Sequence, residues 1–386
     1  MDPALRQICE TVRAASASQT PLRIRAGGTK DFYGNEPLGT LLDPRSVAGV
    51  VDYEPTELVV TARAGTSLAE LEQLLTENGQ MLAFEPPHFG VGATVGGCIA
   101  SGLAGPRRVS FGPTYGGVRD FVLGTKLVDG RGEVLSFGGT VMKNVAGYDV
   151  SRVLAGSLGI LGVIVEVSLK VLPRPMSHHT LSFEMSETAA VDKLNEWAGQ
   201  PLPLSASAWH DGVLYLRLAG APAAVTAARR QLGGEAIDNA QADVFWTSIR
   251  EQTHPFFTAP PNEHSRAAGN ATGRAGTATE NLNAAGSGLA LWRISVPSTA
   301  PALSIHGPQL IEWNGSLRWL RTDQAAASVR ECAKQTGGHA TLFRGGDRTA
   351  GVFTPLSASL ATIHQRLKAQ FDPAGIFNPG RLYPNL

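Results

Sequence analysis

Cysteine is scarce in this sequence. The 386 residues hold three, Cys9, Cys98 and Cys332, with no CxxC and no close pair. That spacing excludes a disulfide framework. It also excludes an iron–sulfur cluster held by this chain, which needs four clustered thiolates. Each cysteine reads as a small buried hydrophobe, and Cys98 stands out because it lies inside a glycine stretch. Net charge is lacking too: 33 Lys and Arg balance 33 Asp and Glu. No basic surface for nucleic acid follows from such a composition. No apolar run is long and pure enough to span a bilayer. The nearest, "GILGVIVEVSLKVL" from Gly159 to Leu172, is short, carries Glu166 and Lys170, and reads as a buried strand. The opening "MDPALRQICETVRAASA" has no apolar signal-peptide core and reads as an amphipathic helix with Leu5, Ile8, Cys9 and Val12 on one face. The expected location is cytoplasmic, reaching the inner face of the plasma membrane only through partners.

What is present is glycine, 44 residues of it, and a change of pattern midway. The first half alternates short strands, turns and helices. "LRIRA" and "ELVVTARAG" read as strands. "TSLAELEQLLTENG" reads as a helix capped by Thr66 or Ser67 and closed by Gly79, with Leu68, Leu71, Leu74 and Leu75 inward. "FVLGTKLVDGRGEVLSFGG" reads as a hairpin about Asp129-Gly130. The prolines Pro173 and Pro175 mark a boundary. Beyond them strand, helix, hairpin and helix follow, an α+β pattern with an antiparallel sheet. Three segments are therefore expected: 1–174, 175–345 and a C-terminal return over 346–386. Residues 258–288 hold few large apolar side chains and read as a mobile insertion.

Three glycine stretches share the first half: "RIRAGGTKDFYG", "VGATVGGCIASGLAGPRR" and "KNVAGYDVSRVLAGSLGILGVI". Together they point to a ligand approached by backbone amides, and a pyrophosphate is the natural one. A nicotinamide Rossmann unit does not fit. "GVGATVG" has the wrong spacing, and Pro86 and Pro87 break the strand that must precede it. The P-loop signature is absent as well.

"RAGGTKDFYG", "GATVGGCIASGLAG", "GYDVSRVLAGSLGILGVI" and the C-terminal "FDPAGIFNPGRL" resemble, in order and spacing, the FAD-binding domain of the vanillyl-alcohol oxidase (PCMH-type) family. Within it the sequence is most similar to the FAD-binding E subunits of bacterial glycolate oxidases, a likeness supported by "GGHATLFRGGDR". The resemblance implies a two-subdomain FAD-binding domain, then a smaller α+β domain with an antiparallel sheet, and a C-terminal segment returning to the FAD domain. It implies that Ala26, Gly27, Gly28, Thr29 and Lys30 form the pyrophosphate loop, continued by Asp31 and Phe32. Gly92, Ala93, Thr94, Gly96 and Gly97 are then expected to wrap the other side of the diphosphate. Ala100 and Gly102 let the flavin lie close, Gly159, Gly162 and Ile164 approach the adenosine end, and Asn378 and Arg381 belong to the C-terminal return. On this reading the glycines are there because side chains would occupy the volume of FAD.

Two departures matter. Family members that bind FAD covalently place His in the first loop, where this sequence has Thr29, so non-covalent FAD is expected. The 2-hydroxy-acid members carry a His-rich metal motif, and here the matching region has His339 alone; no metal is expected. His178 and His179 are adjacent in a strand and face opposite ways. Arg344 is suited to a carboxylate or a flavin edge, and equally to an ordinary salt bridge. Arg107-Arg108 reads as a phosphate partner or as a solvated basic pair. Lys143 and Tyr148 fall near the cofactor, but no catalytic acid or base is assigned. The implied activity is oxidation of glycolate, a small 2-hydroxy acid, to glyoxylate. The implied partners are a larger FAD subunit and an iron–sulfur subunit. An assembly or electron-relay role, with oxidation on the homologous partner, is the alternative; a free-standing FAD oxidase of another substrate is the third.

Overall fold

The computed structural model describes residues 2–108, 116–140, 149–258 and 289–386. Lys143, Tyr148 and residues 259–288 of the expected insertion lie outside the described residues; Thr258 closes the helix Pro255–Thr258.

The chain enters through the helix Pro3–Ser18, capped by the Asp2 carboxylate and buried along Ile8, Cys9, Val12 and Ala15. The strand Leu22–Ile24 then pairs in parallel with Thr40–Leu42. A five-stranded antiparallel sheet follows, in the spatial order Val50–Glu54, Val59–Arg63, Val163–Lys170, Val122–Val128 and Val134–Gly138. Its central strand, Val163–Lys170, is the apolar run that looked longest in the sequence, and it is buried along most of its length. Asp129 holds the hairpin turn by accepting the N–H of Arg131 and of Glu133, each at 2.9 Å. The helix Leu68–Glu77 has Ser67 as its cap and buries Leu68, Leu71 and Leu75. Burial of each such leucine contributes roughly 1.5–3 kcal/mol.

The second half is built on an eight-stranded antiparallel sheet, the largest sheet among the described residues. Its spatial order is Glu235–Ile237, Ser177–Glu184, Val213–Gly220, Leu204–His210, Gln309–Glu312, Leu317–Thr322, Ala290–Ser295 and His339–Arg344. The helices Glu187–Ala198 and Pro222–Leu232 contribute Ala190, Leu194, Val225 and Ala228 to one core with this sheet. Among the described residues no helix is long and apolar enough to cross a membrane.

The C-terminal helix Ala358–Phe371 leads back to the first half, where Phe377 bridges Leu22. A buried cation fixes this return. Lys368 Nζ donates to Asp372 Oδ2 at 2.7 Å and to the carbonyls of Ile160 at 2.7 Å and Phe377 at 2.8 Å. Asp372 in turn accepts the N–H groups of Ile376 and Phe377.

Candidate flavin site

The strand Leu22–Ile24 ends at a turn that crosses the edge of the first half. There two adjoining cavities, of about 100 and 80 Å³, share Ile24, Ala26, Thr94, Gly97, Ala100, Leu158 and Asn378 in their walls. They form one elongated cleft. One end is walled by residues 26–31 and Arg381, the other by Gly159, Gly162 and Ile164. Most of the residues expected at a cofactor therefore line this cleft. Three do not. Phe32 turns away to stack at 5.5 Å on Phe89. Ala93 is buried beneath its neighbours. Gly102 closes the helix Val95–Ser101 with φ 63° and packs against Gly156. Conversely, Arg23, Pro37, Pro44, Ala64, Ser101 and Leu158 join the walls without a signal in the sequence.

Most of the glycines serve a different purpose from the one expected. A Cβ on Gly27 meets the Gly92 carbonyl oxygen at 1.6 Å, and one on Gly96 meets Ala64 Cβ at 2.6 Å. On Gly159 and Gly162 it meets Asn378 and the Val128 carbonyl. These positions are glycine because protein backbone and side chains crowd them, so that the cleft walls can close on one another. Gly97 is the different case. A Cβ there finds Thr94 Oγ1 at 3.1 Å and otherwise faces open cleft.

The donors in the cleft suit an anion. Within the described residues, no hydrogen bond uses the backbone N–H of Ala26, Gly27, Gly28, Thr29 or Lys30. These half-buried residues line the cleft, so their amides are available to an acceptor from outside the chain. Arg23 adds a buried Nε without a partner. Arg25 is neutralised by Asp31. Burial lowers the Lys30 ammonium pKa; its Nζ donates to the His88 carbonyl at 3.2 Å. Burial likewise lowers Arg381 to about 10, and its guanidinium braces the loop through the Asp31 carbonyl at 3.0 Å. Asn378 locks the floor: its Oδ1 accepts the Ile24 N–H at 2.8 Å and its Nδ2 donates to the Leu158 carbonyl at 2.7 Å. Cys98 lies under this surface with its thiol pushed up to about 12 by burial, which leaves it inert.

Outside the cleft, next along the chain from Lys30, the two halves meet at an aromatic cluster. Phe32, Phe89, Phe343 and Trp319 pack edge to face. The Arg344 guanidinium lies over the Phe32 ring at 4.1 Å and the Phe89 ring at 5.0 Å. Burial lowers its pKa to about 10. Arg344 thus joins the two halves through ring faces rather than through a salt bridge. Arg107 departs from both sequence readings. It is buried, 7% exposed, and pairs with Glu85 at 3.1 Å, away from the cleft.

Comparison with known proteins bears on this geometry. A family model described as an FAD binding domain matches residues 5–151. The glycolate oxidase subunit GlcE of Escherichia coli (strain K12) is 47% identical over 98% of this chain and 97% of its own length. The chain belongs to the GlcE family. It is a flavoprotein oxidoreductase chain of the glycolate oxidase subunit type. The glycolate oxidase subunit GlcD of Bacillus subtilis (strain 168) is 28% identical, over 45% of this chain and 37% of its own length. A solved alkyldihydroxyacetonephosphate synthase shares the fold of this GlcE relative. Its TM-score is 0.61 at 15% identity, over 96% of this chain and 75% of that one. The α+β architecture, with an FAD-binding half and a second half built on an antiparallel sheet, agrees with the sequence reading.

Proposed function

We propose that this chain is the FAD-holding subunit of a complex that oxidises glycolate to glyoxylate, and that it holds the cofactor without a covalent bond. The observation that carries the reading is the end-to-end match to a GlcE subunit. The cleft supports it with its run of free amides beside Arg23. The residues present fit FAD: amides 26–30 and Arg23 for the diphosphate, open space at Gly97, Asn378 fixing the floor. FAD supplies a two-electron acceptor when bound. The chain's own part is to hold and orient it. Thr29 offers no ring nitrogen to alkylate a flavin, which supports the non-covalent mode.

A division of labour fits one further observation. The GlcD relative shares a homologous segment with less than half of this chain. We assign substrate oxidation to the larger flavin subunit and onward electron transfer to an iron–sulfur subunit, with this chain completing the assembly. Through those partners it reaches the inner face of the plasma membrane. Anaerobic addition of glycolate tests the reading. Flavin colour should bleach in the co-expressed complex and persist in this chain alone. Turnover by the isolated chain at the rate of the complex would overturn the division.

A further inference from the structure

The largest cavity among those described lies away from the flavin cleft, at the seam between the two halves. It measures about 350 Å³, large enough for a small ligand. Its walls carry four guanidinium groups, from Arg107, Arg174, Arg217 and Arg250. These come from four separate elements: the turn after the helix Val95–Ser101, the link after Leu172–Pro173, the strand Val213–Gly220 and the helix Asn239–Arg250. Trp246, Met81 and Leu82 supply apolar wall.

Three carboxylates share these walls, and two are already engaged. Glu85 Oε2 takes Arg217 Nη2 at 2.8 Å, and its Oε1 takes Arg107 Nη2 at 3.1 Å. Glu72 Oε2 is held by His88 Nε2 at 2.8 Å. Asp243 is two-thirds exposed and lies 3.4 Å from His178. Donors remain in surplus. Arg107 Nε is buried without a partner, and its Nη1 meets nothing better than Met81 Sδ. Arg250 donates its Nε to Glu251 Oε1, whose carboxylate also holds the N–H groups of His88 and Phe89. Arg174 shows no salt bridge among the described residues and is exposed at the cavity mouth.

We propose that this seam is a binding site for a small oxyanion of the phosphate type, held chiefly by Arg174 and Arg250, with Arg107 also in the wall. Guanidinium groups converging from several elements suit an anion that accepts from several directions, and a phosphate oxyanion does so. An anion here bridges the linker between the halves to the helix Asn239–Arg250, so occupancy stiffens the seam. It lies outside the flavin cleft, and its occupancy is independent of FAD.

The test is calorimetric titration of inorganic phosphate into the full-length chain, with three variants. The expected result is saturable binding in the native chain. Arg174→Ser, at an exposed position, should weaken it several-fold, and Arg174→Ser with Arg250→Met at least tenfold, both with unchanged flavin content. Arg23→Met, in the flavin cleft, should bind phosphate at the seam as the native chain does. Absence of saturable binding overturns the proposal. So does binding that survives the double substitution, or binding lost equally in Arg23→Met.

Discussion

Glu85 of the first half and Arg217 of the second meet at 2.8 Å across the seam, and both are largely buried. Glu85 also accepts the Arg107 N–H at 3.0 Å, in a backbone conformation with φ 45°. Arg217 is supported in turn by Ser205 Oγ at 3.1 Å and by the Trp246 ring at 5.0 Å. One carboxylate therefore links both halves and is the shared partner of two buried guanidinium groups.

Glu85→Ala should be strongly destabilising, because it leaves Arg107 and Arg217 buried without their counter-charge. Breaking such a pair typically costs about 3–5 kcal/mol. Burial raises the Glu85 pKa, but Arg217 and Arg107 outweigh burial and hold it at about 2, against 4.5 in the unfolded chain. A depressed carboxyl pKa adds stability that is present above pH 4.5 and lost as pH falls toward 2. Urea unfolding across that range should show the loss in the native chain and a flatter profile in Glu85→Gln. Identical profiles would remove Glu85 as the cause.

Glu312 should act in the opposite sense. Its carboxylate accepts Trp319 Nε1 at 2.7 Å in the buried sheet. Burial raises its pKa to about 7, with Trp319 and Arg293 opposing in part. A raised carboxyl pKa favours the fold while the group stays protonated, so stability falls as pH rises from 4.5 to 7. Glu312→Gln should remove that slope in urea unfolding while the fold, read by circular dichroism, is kept.

Two glycine substitutions should separate packing from cofactor binding. Gly97→Glu projects an anion into open cleft and should abolish FAD retention while leaving the unfolding transition within about 1 kcal/mol. Gly27→Ala drives a methyl into the Gly92 carbonyl and should destabilise the chain even without flavin. Full flavin occupancy in Gly97→Glu would remove the cleft assignment.

Lys368→Met should loosen the C-terminal return. Asp372 is left buried with its ammonium partner gone, at a cost of about 3–5 kcal/mol. Because Asn378 lies a few residues on and ties Ile24 to Leu158, flavin affinity should fall with stability. Flavin release during dialysis, measured by fluorescence, checks this.

Acid precipitation should release the flavin into the supernatant, since the first loop offers Thr29. Colour that stays with the precipitated polypeptide would exclude the non-covalent mode.

Local chemistry carried much of this molecule in its sequence. The leucine spacing after Ser67 gave the helix Leu68–Glu77, and the Asp129 turn gave the hairpin, because caps, turns and periodic burial act over a few residues. The strand Val50–Glu54 was not legible: it is an edge strand with Val50 and Val51 both exposed, so no alternation marks it. The helix Asn239–Arg250 carries local signals too: Asp238 caps it, and its buried residues Ala242, Trp246 and Ile249 stand at the i, i+4, i+7 spacing of one helical face.

The glycine stretches and their order determined, from the sequence alone, that backbone must come close to something in the first half. What comes close was decided only by the tertiary structure: at Gly27, Gly96, Gly159 and Gly162 it is the protein itself, and at Gly97 it is open cleft. Likewise the sequence left Arg107 and Arg344 with alternative roles and gave no sign of one for Arg217. Folding buried Arg107 and Arg217 on Glu85 and laid Arg344 across Phe32 and Phe89. Those partners lie tens to hundreds of residues away, and a contact at such separation exists only once the chain has folded.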